Sequence, residues 1–195
     1  MLPEKVQKSL TAFFSQHPDE LFYSLKIDAG FIGLNSEQGF EQNRLRAAAR
    51  WDADVAPVTL AEVKACTGHD LEDRFRRIHS AMNGHPPMSL EGALAKENAR
   101  REQKRAAGNP YHSRDSEEWQ HLRWQGSSTH GELVSLGLSR QYEAHYNMSD
   151  AKQKTSAYAT KVKEILAELE ASKATLFAGA RLTDDFRIYS IEHGY

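Results

Sequence analysis

The sequence predicts a mainly α fold, a small helical bundle with a minor β contribution from short strands near residues 21–34 and 186–191. Apolar residues recur at helical spacing along most of the chain, in segments bounded by capping residues or by Gly and Pro. Two short apolar runs within 21–34 flank Asp28-Ala29-Gly30, which indicates a strand pair, although a continued helix is the alternative at this length. The segment 186–191 alternates apolar and polar residues, as a short strand does.

The clearest helix is predicted over residues 150–173, because an apolar stripe there repeats at helical spacing through Tyr158, Val162, Ile165, Leu166 and Leu169. Ser89 predicts the start of a helix over 90–107, and Gly108-Asn109-Pro110 predicts its end. Ser116 predicts the start of a short helix that carries two tryptophans. The same reasoning predicts further helices over 4–16, 37–51, 60–66, 71–82 and 132–146.

Residues 59–83 have the pattern of a helix-turn-helix unit. Thr59 and Glu62 form a capping box, Gly68 marks the turn, and Asp70 is the expected first residue of the second helix. A DNA-reading unit would present the start of its second helix to the major groove, where the carboxylates of this segment would face phosphates. The pattern therefore favours a structural pair of helices over a DNA-binding one.

Length and composition are compatible with one domain or with two small ones. The chain has 195 residues, and the segment Gly126 to Gly131 is the expected joint between an N-terminal helical region, 1–126, and a C-terminal helical hairpin with a terminal strand, 132–195. A single domain is the alternative. The net charge of −2 does not suggest a nucleic-acid binder as a whole.

Cysteine usage and hydropathy predict the compartment. Cys66 is the single cysteine, so no internal disulfide can form, and no apolar stretch approaches the length of about 18 residues that a membrane span needs. We expect a cytoplasmic protein with no membrane contact; its oligomeric state is left open.

No local motif in the sequence indicates catalysis or metal binding. The nine histidines include no His-x-x-x-His pair with a glutamate between, and nucleophile elbows and phosphate-binding glycine loops are missing. The prediction is therefore a non-enzymatic protein with no catalytic residues, no metal ligands and no cofactor. An enzyme whose site gathers His, Asp and Glu from distant segments is an alternative that spacing cannot test.

The middle of the chain combines clustered cations with aromatic residues. Such a set can contact phosphates and stack on unpaired bases, and it can equally form a protein interface or a packing anchor. Glu97 and Glu102 provide a further alternative, a solvated helix face with internal ion pairs. The candidate docking residues are Lys96, Arg100, Arg101, Lys104, Arg105, Tyr111, Arg114, Trp119, Arg123 and Trp124.

Residues 96–126 resemble the ribosome modulation factor family through a basic helix, a Pro110-Tyr111 break and a second helix with Trp119. Members of that family are short helical pairs that associate with small-subunit ribosomal RNA, and related segments occur in phage proteins. The resemblance implies an RNA or nucleoprotein partner and an origin in phage or mobile elements.

The leading functional hypothesis is a binding or regulatory protein that docks on a nucleic acid or a nucleoprotein complex through this middle segment. The alternative is a protein–protein interaction module, either an assembly subunit or an inhibitor of a host complex, because Trp and Arg are enriched at interface hot spots. The identity of the partner is left open by the sequence.

Overall fold

A four-stranded mixed sheet is the central element of the fold in a computed structural model, which describes residues 2–66, 73–114 and 116–191. The strand order is β3-β2-β1-β4; β1 is antiparallel to β2 and parallel to β4, and β2 is antiparallel to β3. The fold is therefore mixed α/β, and the predicted small helical bundle with minor strands is wrong. The strands are β1 (Leu21–Asp28), β2 (Phe31–Ser36), β3 (His130–Ser135) and β4 (Arg181–Ser190).

Helices account for most of the remaining described residues. None of these helices is both long and apolar enough to cross a membrane. The helices are α1 (Leu2–Gln16), α2 (Glu37–Val55), α3 (Leu60–Ala65), α4 (Asp73–Met82), α5 (Leu90–Ala107), α6 (Glu117–Gln125), α7 (Ser139–Tyr146), α8 (Asp150–Gln153), α9 (Ala157–Ala171) and α10 (Lys173–Leu176).

The strand pair predicted within 21–34 is confirmed as a hairpin of β1 and β2. Ala29 and Gly30 form its turn with φ angles of 49° and 85°. Two successive positive φ angles match the right-handed twist of the flanking strands, and glycine reaches such an angle without steric cost. The turn therefore fixes the register that pairs Asp28 with Phe31.

The helix predicted over 132–146 is wrong in its first part, which forms β3. Val134 pairs with Ile32 and His130 pairs with Leu34, so β3 completes the sheet along β2. Leu133 and Leu136 are three residues apart, a spacing that is typical of one face of a helix. Pairing with the distant strand β2 overrides this local preference for helix. Only α7 remains helical in this stretch.

The continuous helix predicted over 150–173 is also wrong, because the helix is interrupted between α8 and α9. Ser156 has an extended backbone and its hydroxyl accepts a hydrogen bond from the Ala159 amide at 3.1 Å, which starts α9 as a separate helix. The predicted apolar stripe is nevertheless confirmed, since four of its five residues are buried and Leu166 is partly buried.

Local capping signals are confirmed where the structure describes them. The capping box of Thr59 and Glu62 starts α3, Ser89 starts α5, and Ser116 accepts a hydrogen bond from the Trp119 amide at the start of α6. The predicted helix start at Asp70 lies outside the described residues.

The chain divides into two compact units. Unit 1 comprises residues 1–43 and 120–195, and unit 2 comprises residues 44–119. Both sides of the segment 126–131 lie in unit 1. Unit 2 has its own apolar core, in which α3, α4 and α5 bury Val63, Ile78 and Ala93.

The two faces of the sheet in unit 1 have opposite character. Apolar residues of α1, α9 and α10 pack on the face that carries Leu25 and Leu34. Side chains alternate along a strand, so the other face carries the buried polar residues Ser24, Lys26 and Asn35. The polar residues of that face are tied to the segment between α6 and β3, since Lys26 donates a hydrogen bond to the Gly126 carbonyl. Burial lowers the pKa of Lys26, while the charge of Asp28 opposes that shift.

Candidate metal centre

Three side chains from two distant parts of unit 1 meet beside the sheet. His17 directly follows α1, Glu20 directly precedes β1, and His130 is the first residue of β3. The Glu20 carboxylate lies between the imidazoles: Oε1 is 2.8 Å from Nδ1 of His17, and Oε2 is 2.7 Å from Nε2 of His130. One donor atom from each residue lies within 4.8 Å of the others, and the rest of the described chain contains no second group of this kind.

The turn between α1 and β1 holds His17 and Glu20 on the same side. Pro18 cannot continue the helix, and the Glu20 amide donates to the His17 carbonyl at 3.3 Å. Gln38 fixes both flanks of Glu20, because its Nε2 donates to the Asp19 carbonyl at 3.1 Å and its Oε1 accepts from the Leu21 amide at 2.9 Å. Local chain geometry therefore orients two of the three donors.

His130 is placed by the residue before it. The Thr129 amide donates to Oδ1 of Asn35 at 2.8 Å, and the Thr129 hydroxyl donates to the Leu34 carbonyl and accepts from the Ser36 amide. Asn35 is buried and its amide also donates to Ser24, so the acceptor cannot rotate away. This network fixes the start of β3 and hence the direction from which His130 approaches Glu20.

The cluster is partly exposed and has an aromatic wall. The exposed fractions of the side chains are 31% for His17, 20% for Glu20 and 19% for His130. The Phe13 ring stacks on His17 with centroids 4.2 Å apart and meets His130 edge-on at 4.9 Å. Solvent therefore reaches the donors while an apolar ring limits their movement.

Glu20 is held in its ionised form. Burial alone would raise its pKa, but hydrogen bonds from Ser36 and His130 and the charge of His130 outweigh burial. Its pKa therefore lies below the usual value. Metal binding needs this ionised carboxylate together with neutral imidazoles, so a cation would replace the proton that His130 shares with Glu20.

The donor set fits a transition-metal dication. Two imidazole nitrogens with one carboxylate bind zinc in several metalloenzymes, with bond lengths of about 2.0–2.2 Å. A tetrahedral ion with those bonds separates its ligand atoms by roughly 3.3 Å. This separation lies between the 2.7 Å contact of Glu20 with His130 and the 4.8 Å limit on the group. Hard cations such as Ca²⁺ and Mg²⁺ prefer oxygen donors and are poorly matched.

Eight of the ten candidate docking residues lie in unit 2 and two lie in unit 1. In α5, Glu97 accepts hydrogen bonds from Arg100 and Arg101, and Glu102 pairs with Arg105. Arg101 is buried, whereas Lys96, Lys104 and Arg105 are exposed. The arginines of the basic helix are thus largely paired with acids of the same helix.

The aromatic candidates contact neighbours within their own units. Trp119 is buried and meets the Tyr111 ring edge-on, and Arg114 nearby is exposed. Trp124 packs between Tyr23, Tyr189 and the guanidinium of Arg187.

Arg123 lies 4.2 Å from the centroid of the Tyr23 ring and forms an ion pair with Glu37. These contacts tie Arg123 and Trp124 to neighbours in unit 1, and Lys96, Lys104 and Arg114 are exposed. The docking role predicted for the whole set stays a prediction.

Three comparisons with known proteins found no match for this chain: no protein-family model, no curated protein and no solved structure matches it. The resemblance of residues 96–126 to the ribosome modulation factor family therefore stays a prediction. The class that fold and site define is a mixed α/β protein with a partly exposed His-Glu-His cluster.

Proposed function

We propose that the protein binds one divalent transition-metal ion of the zinc class through His17, Glu20 and His130. One observation carries the proposal: two imidazole nitrogens and a carboxylate oxygen lie within 4.8 Å of one another. An enzyme whose site gathers His, Asp and Glu from distant segments stays a prediction. Borderline nitrogen donors favour zinc, cobalt, nickel or iron over calcium and magnesium.

Substitution of any proposed ligand should abolish tight zinc binding. We expect the full chain to bind one zinc ion, and His17→Ala, Glu20→Gln and His130→Gln each to weaken binding by more than about 100-fold, since loss of outer-shell partners alone costs about 10–100-fold. Competition with a chromophoric chelator measures the dissociation constant. His121→Ala is the matched control, because this histidine is exposed on α6 in the same unit. Zinc binding that survives both His17→Ala and His130→Gln would exclude this site.

Asn35 should control metal affinity without being a ligand. In Asn35→Ala the Thr129 amide loses its buried acceptor, the start of β3 loosens, and zinc affinity should fall roughly 10-fold. Ser156→Ala is the control, because it removes a buried hydroxyl that accepts from the Ala159 amide at the start of α9 and is not part of the network around Thr129. Equal zinc affinities for Asn35→Ala and the wild type would show that this network does not position His130.

A further inference from the structure

We infer that the metal ion held by His17, Glu20 and His130 keeps an exchangeable coordination position that accepts water or a small monoanion. This inference rests on the proposed function and goes further, because it defines the site as an open centre with its own ligand class. A closed structural zinc site is saturated by four protein ligands, whereas an open site has three and exchanges the fourth.

The number of protein donors is the first argument. Within residues 2–66, 73–114 and 116–191, three donor side chains lie close enough together to share an ion. A zinc ion prefers four ligands, so three donors from the described residues leave one coordination position for a further ligand.

The exposure of the three donors to solvent is the second argument. Phe13 covers the imidazoles from one side, and the Ser36 hydroxyl, 3.4 Å from Nε2 of His130, belongs to a fully buried residue. His17 keeps the largest exposed fraction of the three donors. Solvent therefore reaches the cluster, most of all at His17, and a small ligand can enter and leave there.

Charge selects the class of ligand. A dication bound by two neutral imidazoles and one carboxylate retains a net charge of +1, because only Glu20 is anionic when the metal is bound. A monoanion such as azide, hydroxide or a carboxylate neutralises this charge in a partly desolvated site, where the Coulomb term is stronger than in bulk water. A neutral ligand gains less Coulomb stabilisation from this charge than a monoanion does.

Cobalt substitution with azide titration tests the inference on the intact chain. Co²⁺ reports its coordination through visible absorption, so azide entering the shell should change the spectrum along a saturating curve with one azide per metal. Perchlorate at the same ionic strength is the control and should leave the spectrum unchanged. A Co²⁺ spectrum that azide does not alter would overturn the open position while leaving metal binding intact. Failure to bind Co²⁺ or Zn²⁺ at all would instead overturn the proposed function and this inference together.

Discussion

Glu97→Gln should lower the free energy of unfolding by about 3–5 kcal/mol, the usual cost of removing one partner of a buried ion pair. Glu97 is 6% exposed and accepts from Nε of Arg101 at 2.9 Å, and the Arg101 side chain is 3% exposed. The neutral amide of Gln would remove the carboxylate charge from beside that buried guanidinium. The hydrogen bond from Arg101 to the Ala56 carbonyl, at 3.0 Å, has a neutral acceptor and does not offset the charge of the guanidinium.

The same carboxylate should make the wild type sensitive to acid. Hydrogen bonding from Arg100, and then from Arg101, lowers the pKa of Glu97 against the opposing effect of burial. A depressed folded-state pKa gives stability that is fully present above the unfolded value of roughly 4.3 and is lost as pH falls through the folded value. Glu97→Gln should therefore show a flatter loss of stability on acidification.

Urea unfolding at neutral pH and at several acidic pH values checks both expectations. Glu102→Gln is the matched control, because it makes the same change on the same helix at an exposed pair with Arg105. Exposed ion pairs contribute about 0–1 kcal/mol, so the control should stay close to the wild type. Equal losses for the two variants would contradict a structural role for the buried pair.

Leu169→Ala should destabilise unit 1 by about 2–5 kcal/mol, since truncation of a buried leucine loses transfer free energy and leaves a cavity. Leu169 lies on α9 with no exposed surface, in the core cluster that also includes Ile165 and Phe177. Thermal and urea unfolding measure the loss.

The control for Leu169 is Leu45→Ala. Leu45 is 53% exposed on α2, so the same truncation there should change stability by less than about 0.5 kcal/mol. If Leu169→Ala costs no more than Leu45→Ala, α9 does not belong to the core.

Local signals explain which elements were predictable from the sequence. Ser89 and the Gly108-Asn109-Pro110 break predict the bounds of α5 as the structure has them, because capping and helix breaking depend on nearby residues. β3 was not predictable, since its pairing partner in β2 lies about a hundred residues earlier in the chain. The mixed sheet, and with it the fold class, depends on that pairing.

The candidate site likewise has a part that local sequence indicates and a part that depends on pairing of distant strands. His17 and Glu20 are the first and last residues of a four-residue segment with Pro18 in second place, which is a pattern typical of a tight turn. Such a turn brings its first and last residues close together. His130 joins them only because β3 pairs with β2, and no spacing in the sequence indicates that contact. The cations of the middle segment are clustered in the sequence, which predicts a docking face, although several of them are paired with acids of the same helix.

X-ray absorption at the zinc edge of the zinc-loaded protein tests the central claim most directly. We predict two imidazole nitrogens at about 2.0–2.1 Å and oxygen donors at about 2.0–2.2 Å, with the imidazole scattering reduced in His17→Ala and in His130→Gln. A zinc shell without imidazole scattering, or one that both substitutions leave unchanged, would contradict the account.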